Sequence, residues 1–388
     1  MTDQALLNEA AREDLLQRGY NRRDLGRIAA VFAGGALAAS AGRPAWAAAS
    51  PPPPAKRLLL DSNECWTGPM AAGIEAARAM LARCNRYEPD GERAAFIRAV
   101  AEVEGVAPDW VSPWPGSSDP LSRAVVSFCS PERGLVSADP TFELAWDTAA
   151  YLGVPVRKVP LTPDYRHDVR AMLAADPAAG LYYVCSPNNP TGTLTPLEDI
   201  AWLVQHKPAG AKVLVDEAYY HFTGLPSATT LFGGRDDVIV LRTFSKLFGM
   251  AGMRMGFAMT HPANIAKMQR YDGDVQSGSL PLPSLVCATA SLREAREIAR
   301  RRSEMLGNLA FVSAEVARRG YKVLPSTANM FMVDWGGPPA KQMREAFRKE
   351  GVEIGRSWAI WPGLSRITVS SRPEMIAFLK ALDRVRAG

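Results

Sequence analysis

An α/β fold, with a mostly parallel sheet covered on both faces by helices and a smaller α+β domain beside it, is predicted by three observations. Short apolar runs rich in β-branched residues recur along the chain: "RGLVSADP", "VPVRKVPL", "GLYYVCSP", "AKVLVDEAYY", "DVIVLRTFSK" and "MRMGFAMT". Longer stretches of helical period separate several of them, as in a sheet whose strands are buried on both faces. Polar residues unsuited to a core gather where these runs end, which is where open α/β sheets place ligands.

The elements follow in order. The 388 residues, 47% hydrophobic and 22% charged, suffice for one large and one smaller domain. Residues 1–47 differ in kind from the rest. Arg22 and Arg23 precede a charge-free stretch from Ile28 to Gly42, then the small-residue segment Ala45-Trp46-Ala47. The apolar run is shorter than the ~20 residues a membrane span needs. It resembles a twin-arginine export signal, with Asn21 where a hydroxyl residue is usual and cleavage expected near Ala47. Removal of the signal leaves no stable membrane span, and the expected location is the periplasm, with the cytoplasm as the alternative. Residues 48–57, which include four consecutive prolines, form a stiff linker.

Residues 86–290 then form the expected large domain, and residues 58–85 with 291–388 the small one. From about 285 to 320 the helical period continues without proline up to Gly320, which predicts one long helix. The segment beyond it reads as strand, helix, strand, helix.

Composition excludes some functions. The 45 basic and 40 acidic residues give a net charge of +5 with no basic block, so a nucleic-acid groove has little support. Five scattered cysteines, none in CxxC spacing, argue against a metal site.

Chemistry gathers in three places. "CSPNNPTG" follows a strand with Asn188 and Asn189; "VLVDEAYY" ends a strand with Asp216, three residues before Tyr219; "TFSK" sets Thr243 and Ser245 just before Lys246. Singly, these read as loop asparagines, a capping aspartate and a surface lysine. Together they suit a ligand with an anionic group, a ring that wants a carboxylate partner, and an electrophile for an amine.

This ordered set resembles the fold-type I pyridoxal-phosphate enzymes, and among them the class I/II aminotransferases of the histidinol-phosphate aminotransferase type, over residues ~58–385. The resemblance implies pyridoxal 5'-phosphate (PLP) as cofactor, joined covalently by Lys246, which later moves the proton at the substrate's α-carbon. It implies that Asp216 pairs with the pyridine nitrogen and that Asn189 and Tyr219 bond to the ring's phenolic oxygen. Ser117 and Ser118 in "PGSSDPL", with Thr243, Ser245 and Arg254, match the phosphate-binding set. Phe142 matches the aromatic stacked on the ring, and Arg366 of "SRITVSS" the arginine that grips the substrate carboxylate. Asn63 and Arg356 are expected on the substrate side, the latter near its side chain. Tyr87 of "RYEPDG" resembles a tyrosine that reaches the neighbouring subunit's cofactor, which implies a homodimer.

The chain departs from the family in "NECWTGP", where relatives have "NENPYGP", and in the extra Glu88. Trp358 and Trp361 are expected either in the small-domain core or around a pocket for a flat or anionic side chain. The implied reaction moves an amino group between an L-amino acid and a 2-oxo acid. Histidinol phosphate is the named alternative substrate, a racemase or β-lyase the alternative reaction, and a non-catalytic PLP-binding protein the alternative class.

Overall fold

The computed structural model describes residues 7–33, 57–271 and 278–387. The expected cleavage site and nearly all of the proline-rich linker lie outside the described residues.

The first described segment forms α1 (Glu9–Gln17) and α2 (Arg22–Ala33). Both pack against the body of the protein. Arg18 donates to the carbonyls of Val126 and Cys129, each at 2.6 Å, and the Tyr20 hydroxyl also donates to Cys129. Phe32 stacks on Tyr271 at 5.8 Å, and the Arg123 guanidinium lies 4.4 Å over the Phe32 ring. The apolar residues of α2 that suggested an export signal, Ile28 and Phe32 among them, are thus buried in a shared core, while Arg22 and Arg23 stay exposed.

Next come β1 (Leu58–Leu60), α3 (Ala71–Leu81), α4 (Glu92–Glu104) and β2 (Val111–Trp114), then α5 (Ser118–Phe128) and β3 (Leu135–Asp139). They are followed by α6 (Leu144–Tyr151), β4 (Val156–Pro160), α7 (Val169–Ala175), β5 (Leu181–Cys185), α8 (Leu197–His206) and β6 (Lys212–Asp216). The sheet is completed by β7 (Val238–Thr243) and β8 (Gly256–Thr260), with α9 (Pro262–Gln269) after it. Seven strands lie in the order β2-β8-β7-β6-β5-β3-β4, and β8 alone runs antiparallel to its neighbours. Alternation along β5 explains why its run is apolar throughout. Leu181, Tyr183 and Cys185 face the core shared with α1, α2, α5 and α6, while Tyr182 and Val184 face the other.

The register aligns the ends that matter. Asp216 pairs with Cys185 on one side and Leu241 on the other, and Gly256 sits opposite both Thr243 and Trp114. Chain segments leaving β2, β3, β5, β6 and β7, and the one entering β8, therefore meet at one edge.

The long helix expected from about 285 to 320 is two helices, α10 (Leu282–Leu292) and α11 (Ala295–Arg318). Glu294, at φ −84° and ψ +55°, leaves helical geometry between them. Both halves keep a 3.6-residue stripe, so periodicity does not register the break, but they bury it against different partners. α10 packs closely on α3, where a Cβ on Gly73 would lie 2.5 Å from Ser291 Oγ; α11 packs on the carboxy-terminal helix Arg372–Ala387.

The remainder comprises β9 (Lys322–Val323), β10 (Met330–Asp334), α12 (Ala340–Lys349), β11 (Val352–Ile354), β12 (Leu364–Thr368) and α13 (Arg372–Ala387). β10 lies between β12 and β9, and β11 pairs in parallel with β1, which ties residues 58–60 to the carboxy-terminal segment. Among the described residues no helix is long and apolar enough to cross a membrane.

Candidate active site

At the shared strand edge lies a cavity of about 410 Å³. Twelve residues singled out from the sequence line it: Ser117, Ser118, Phe142, Asn189, Asp216, Tyr219, Thr243, Ser245, Lys246, Arg254, Arg356 and Arg366. They come from five strand ends of the large sheet, the turn before β8, the loop after β11 and the middle of β12.

Lys246 follows β7 through Phe244 and Ser245. Its Nζ donates to the Ser62 carbonyl at 3.2 Å and stands 5.5 Å from the centre of the Tyr219 ring. Burial of the side chain, then the positive charges of Arg366 and Arg254, pull its amine down to about 8. A lysine so placed is in part an unprotonated nucleophile near neutral pH.

Asp216 closes β6 and is almost fully buried. Its Oδ2 accepts the Tyr183 hydroxyl at 3.0 Å and its Oδ1 the Ala218 amide at 3.1 Å. Desolvation lifts the carboxyl to about 6, against the lowering effect of those two bonds and of the Lys246 charge. Both bonded partners are neutral, so a cationic ring nitrogen entering the cavity would meet a carboxylate able to take it. Beside it the Tyr219 hydroxyl, pushed up to about 12 chiefly by burial, remains protonated at neutral pH.

The anion cradle is built by close backbone approach. Ser117 sits at the N-cap position of α5, whose first residue is Ser118. A Cβ on Gly116, itself at φ +92°, would lie 2.6 Å from Arg254 Nη2. On Gly256 it would lie 2.6 Å from the Gly116 carbonyl carbon and 2.8 Å from the Ser117 nitrogen. Only glycine allows the two turns to meet this closely. Arg254, held at φ +52°, donates to the Ala251 carbonyl at 2.9 Å and reaches Ser245 Oγ at 3.4 Å. Thr243 Oγ1 in turn donates to Ser245 Oγ at 2.9 Å. Two hydroxyl-bearing turns, a helix N-terminus and one guanidinium suit a phosphate group, and with the lysine and the aspartate they fit PLP.

Across the cavity Arg366 donates to Asn189 Oδ1 at 2.7 Å and to the Asp61 carbonyl, while its Nε is buried without a partner. Arg356 forms an ion pair with Glu143. Behind both arginines lies the Trp358 ring, 4.8 Å from the Arg356 guanidinium carbon and 5.7 Å from that of Arg366.

Two expected residues are elsewhere. Asn63 does not line the cavity. Its backbone takes φ +53° and its side chain turns inward, donating to the Tyr219 hydroxyl at 3.0 Å, so it braces Tyr219 from behind. Tyr87, expected at a neighbouring subunit's cofactor, is fully exposed and does not line this chain's own cavity. The two tryptophans are not cavity walls either. Trp358 is buried with Leu324 and Met332, and Trp361 packs edge-on to Tyr165. Asn188 sits under the loop, where its side chain bonds to Thr141, Thr191 and the Pro140 carbonyl.

Sequence reasoning missed Ser62, Glu64, Cys185, Ala218 and Ala251 in the wall, Tyr183 beneath Asp216 and Glu143 beside Arg356. Tyr183 gave no signal, because an aromatic within a buried strand reads as core. Glu143 offered a weak one, as a charge directly after the aromatic expected over the ring.

The family model described as "Aminotransferase class I and II" matches residues 55–382. An aromatic amino acid aminotransferase of Rhodococcus erythropolis is 32% identical over 330 residues, covering 84% of this chain and 89% of the relative. A histidinol-phosphate aminotransferase of Moorella thermoacetica is 30% identical over 338 residues, covering 84% and 85%. The fold matches that of a histidinol-phosphate aminotransferase from Sinorhizobium meliloti solved in complex with pyridoxal-5'-phosphate, with a TM-score of 0.78 and 24% identity over 85% of this chain and 91% of that one. The lysine, the buried aspartate and the anion cradle at one sheet edge thus belong to a chain of the class I and II aminotransferase family, a PLP-dependent transaminase.

Proposed function

We propose that the cavity between Lys246 and Arg366 is where this transaminase takes an L-amino acid and returns a 2-oxo acid; a histidinol-phosphate aminotransferase is the alternative reading. The placement of Lys246 and Arg366 in one cavity with Asp216 carries this reading. When bound, PLP supplies the electron-withdrawing ring that lets the substrate's α-hydrogen leave as a proton. Ser117, Ser118, Thr243, Ser245 and Arg254 would hold its phosphate, and Asp216 would keep a proton on its ring nitrogen. Asn189 and Tyr219 would steady the other side of the ring, and Phe142 its face.

The remaining work belongs to the side chains. Arg366 takes the substrate's carboxylate in a two-bond fork, for which its orphaned Nε supplies a donor. The gripped carboxylate turns the α-hydrogen toward Lys246. The amine of Lys246, already lowered, accepts that proton and would pass it to the cofactor, with which the amino group stays when the 2-oxo acid leaves. Gripping the carboxylate also disfavours its loss, which separates this chemistry from decarboxylation. The test is to add single L-amino acids to the purified holoenzyme, follow the visible spectrum of the cofactor and quantify the 2-oxo acid. A purified holoenzyme that converts no amino acid would end the proposal.

The exported, homodimeric form is proposed on the sequence features of residues 21–49 and on Tyr87. The exposed Arg22 and Arg23 are accessible to an export receptor. A second reading, an uncleaved cytoplasmic enzyme, is favoured by the burial of Leu15, Ile28 and Phe32 against the large domain. Replacing Arg22 and Arg23 by Lys and fractionating cells separates the two. Export requires wild-type enzyme outside the inner membrane with a new N-terminus near Ala48, and the variant inside. Finding both variants inside and uncleaved establishes the cytoplasmic reading.

A further inference from the structure

Where the substrate's side chain is expected, the cavity's cation is already paired. Arg356, the cation expected to face the substrate's side chain, is held by the carboxylate of Glu143, and the pair bridges the two halves of the molecule: Glu143 follows Phe142 at the start of α6, and Arg356 follows β11. The Trp358 ring also lies against the arginine, 4.8 Å from the guanidinium carbon. Charges of both signs lie near the acid. Asp139 and Asp147 are both raised, first by burial, and the Glu143 charge adds to the rise in each. Lys158 opposes that rise at both acids and Arg356 opposes it at Asp147, so Arg356 offsets local acidity as well as facing the cavity.

We propose that Glu143 is a specificity-determining residue: by holding Arg356 it withholds that cation from anionic substrate side chains, so that the enzyme favours L-amino acids with uncharged side chains over dicarboxylic or phosphorylated ones. An incoming carboxylate has to displace Glu143 and leave it unpaired beside Asp139 and Asp147. An uncharged side chain leaves the pair intact and lies along it. This inference rests on the transaminase reading of the cavity and ranks the two substrate classes within it. The Glu143 side chain is 24% exposed and that of Arg356 52%, so solvent weakens the pair and the discrimination is graded.

The test uses the holoenzyme and two non-reacting acids, succinate and 3-phenylpropionate, whose dissociation constants are read from the change in the cofactor's visible absorbance. Glu143→Gln keeps the size and removes the charge. Its ratio of succinate Kd to 3-phenylpropionate Kd should fall about fivefold or more relative to wild type. Adding Arg356→Gln to that variant should abolish the gain, since the freed cation is then gone. A structural role for Glu143 would instead weaken both ligands together. An unchanged ratio in Glu143→Gln, or a gain that survives loss of Arg356, overturns the proposal. Because binding is measured without turnover, a fall in the ratio supports this role even in an enzyme that converts no amino acid, an outcome that would sink only the transaminase reading.

Discussion

Arg242→Met tests what holds the catalytic strand ends in place. Arg242 lies on β7, one residue before Thr243, and its side chain is completely buried. Its guanidinium pairs with Glu104 at 2.6 Å and with Glu217, the neighbour of Asp216, at 2.8 Å, and also donates to Ser227 Oγ at 2.8 Å. The Tyr220 ring covers it at 3.7 Å. The two acids keep only 8% and 5% side-chain exposure. Methionine fills similar volume but leaves both carboxylates without their cation, and breaking a buried pair in this way costs about 3–5 kcal/mol. Burial already lifts Glu104 above the ordinary glutamate range despite the arginine, and removing the arginine lifts it further. A carboxyl raised in the folded state binds more protons there than in the unfolded chain. Its penalty is therefore absent below the ordinary value of 4.5 and grows as pH rises through the raised one. Urea unfolding of the variant at pH 5 and pH 8 should show a larger deficit at pH 8. Adding Glu104→Gln and Glu217→Gln should recover much of the loss, since no buried charge then remains. A deficit below about 1 kcal/mol at pH 8, or one that does not change with pH, would refute the argument.

Other expectations follow from the same geometry. Gly116→Ala would drive a methyl group to 2.6 Å from Arg254 Nη2 at a left-handed backbone position, so the Kd for PLP, measured by fluorescence titration of the apoenzyme, should rise about tenfold or more. Because the Lys246 amine is pulled down to about 8, capture of PLP by apoenzyme should speed up about tenfold per pH unit below 8 and level off above it. A rate still climbing toward pH 10 would show an ordinary lysine. Arg366→Lys should raise KM for all amino-acid substrates together, because a point charge replaces a planar fork; a loss confined to one side-chain class would assign Arg366 to the side chain instead.

Much of this protein is legible from its residues in order. The α/β class follows from apolar runs of strand length, because a strand covered on both faces has no polar side to show. Asp216, Lys246 and Arg254 stand out because a buried carboxylate, a lysine after two hydroxyl residues and an arginine beside glycines each need a partner that the local chain does not supply. What the chain order does not contain is which residues face one another across the fold. Asn63 turns behind Tyr219 because its backbone takes a left-handed turn, and Trp358 backs two guanidinium groups instead of lining the cavity. Tyr183 reaches Asp216 across 33 residues, and Glu143 reaches Arg356 across 213. The apolar α2 has the same character. Its sequence resembles a leader, and its burial against Tyr271 and Arg123 arises from a surface assembled elsewhere in the chain. Local sequence determined the kinds of groups the site contains, because burial and charge impose their demands residue by residue. Tertiary structure decided their pairings, because an ion pair or a packed ring depends on distance in space, which separation along the chain does not set.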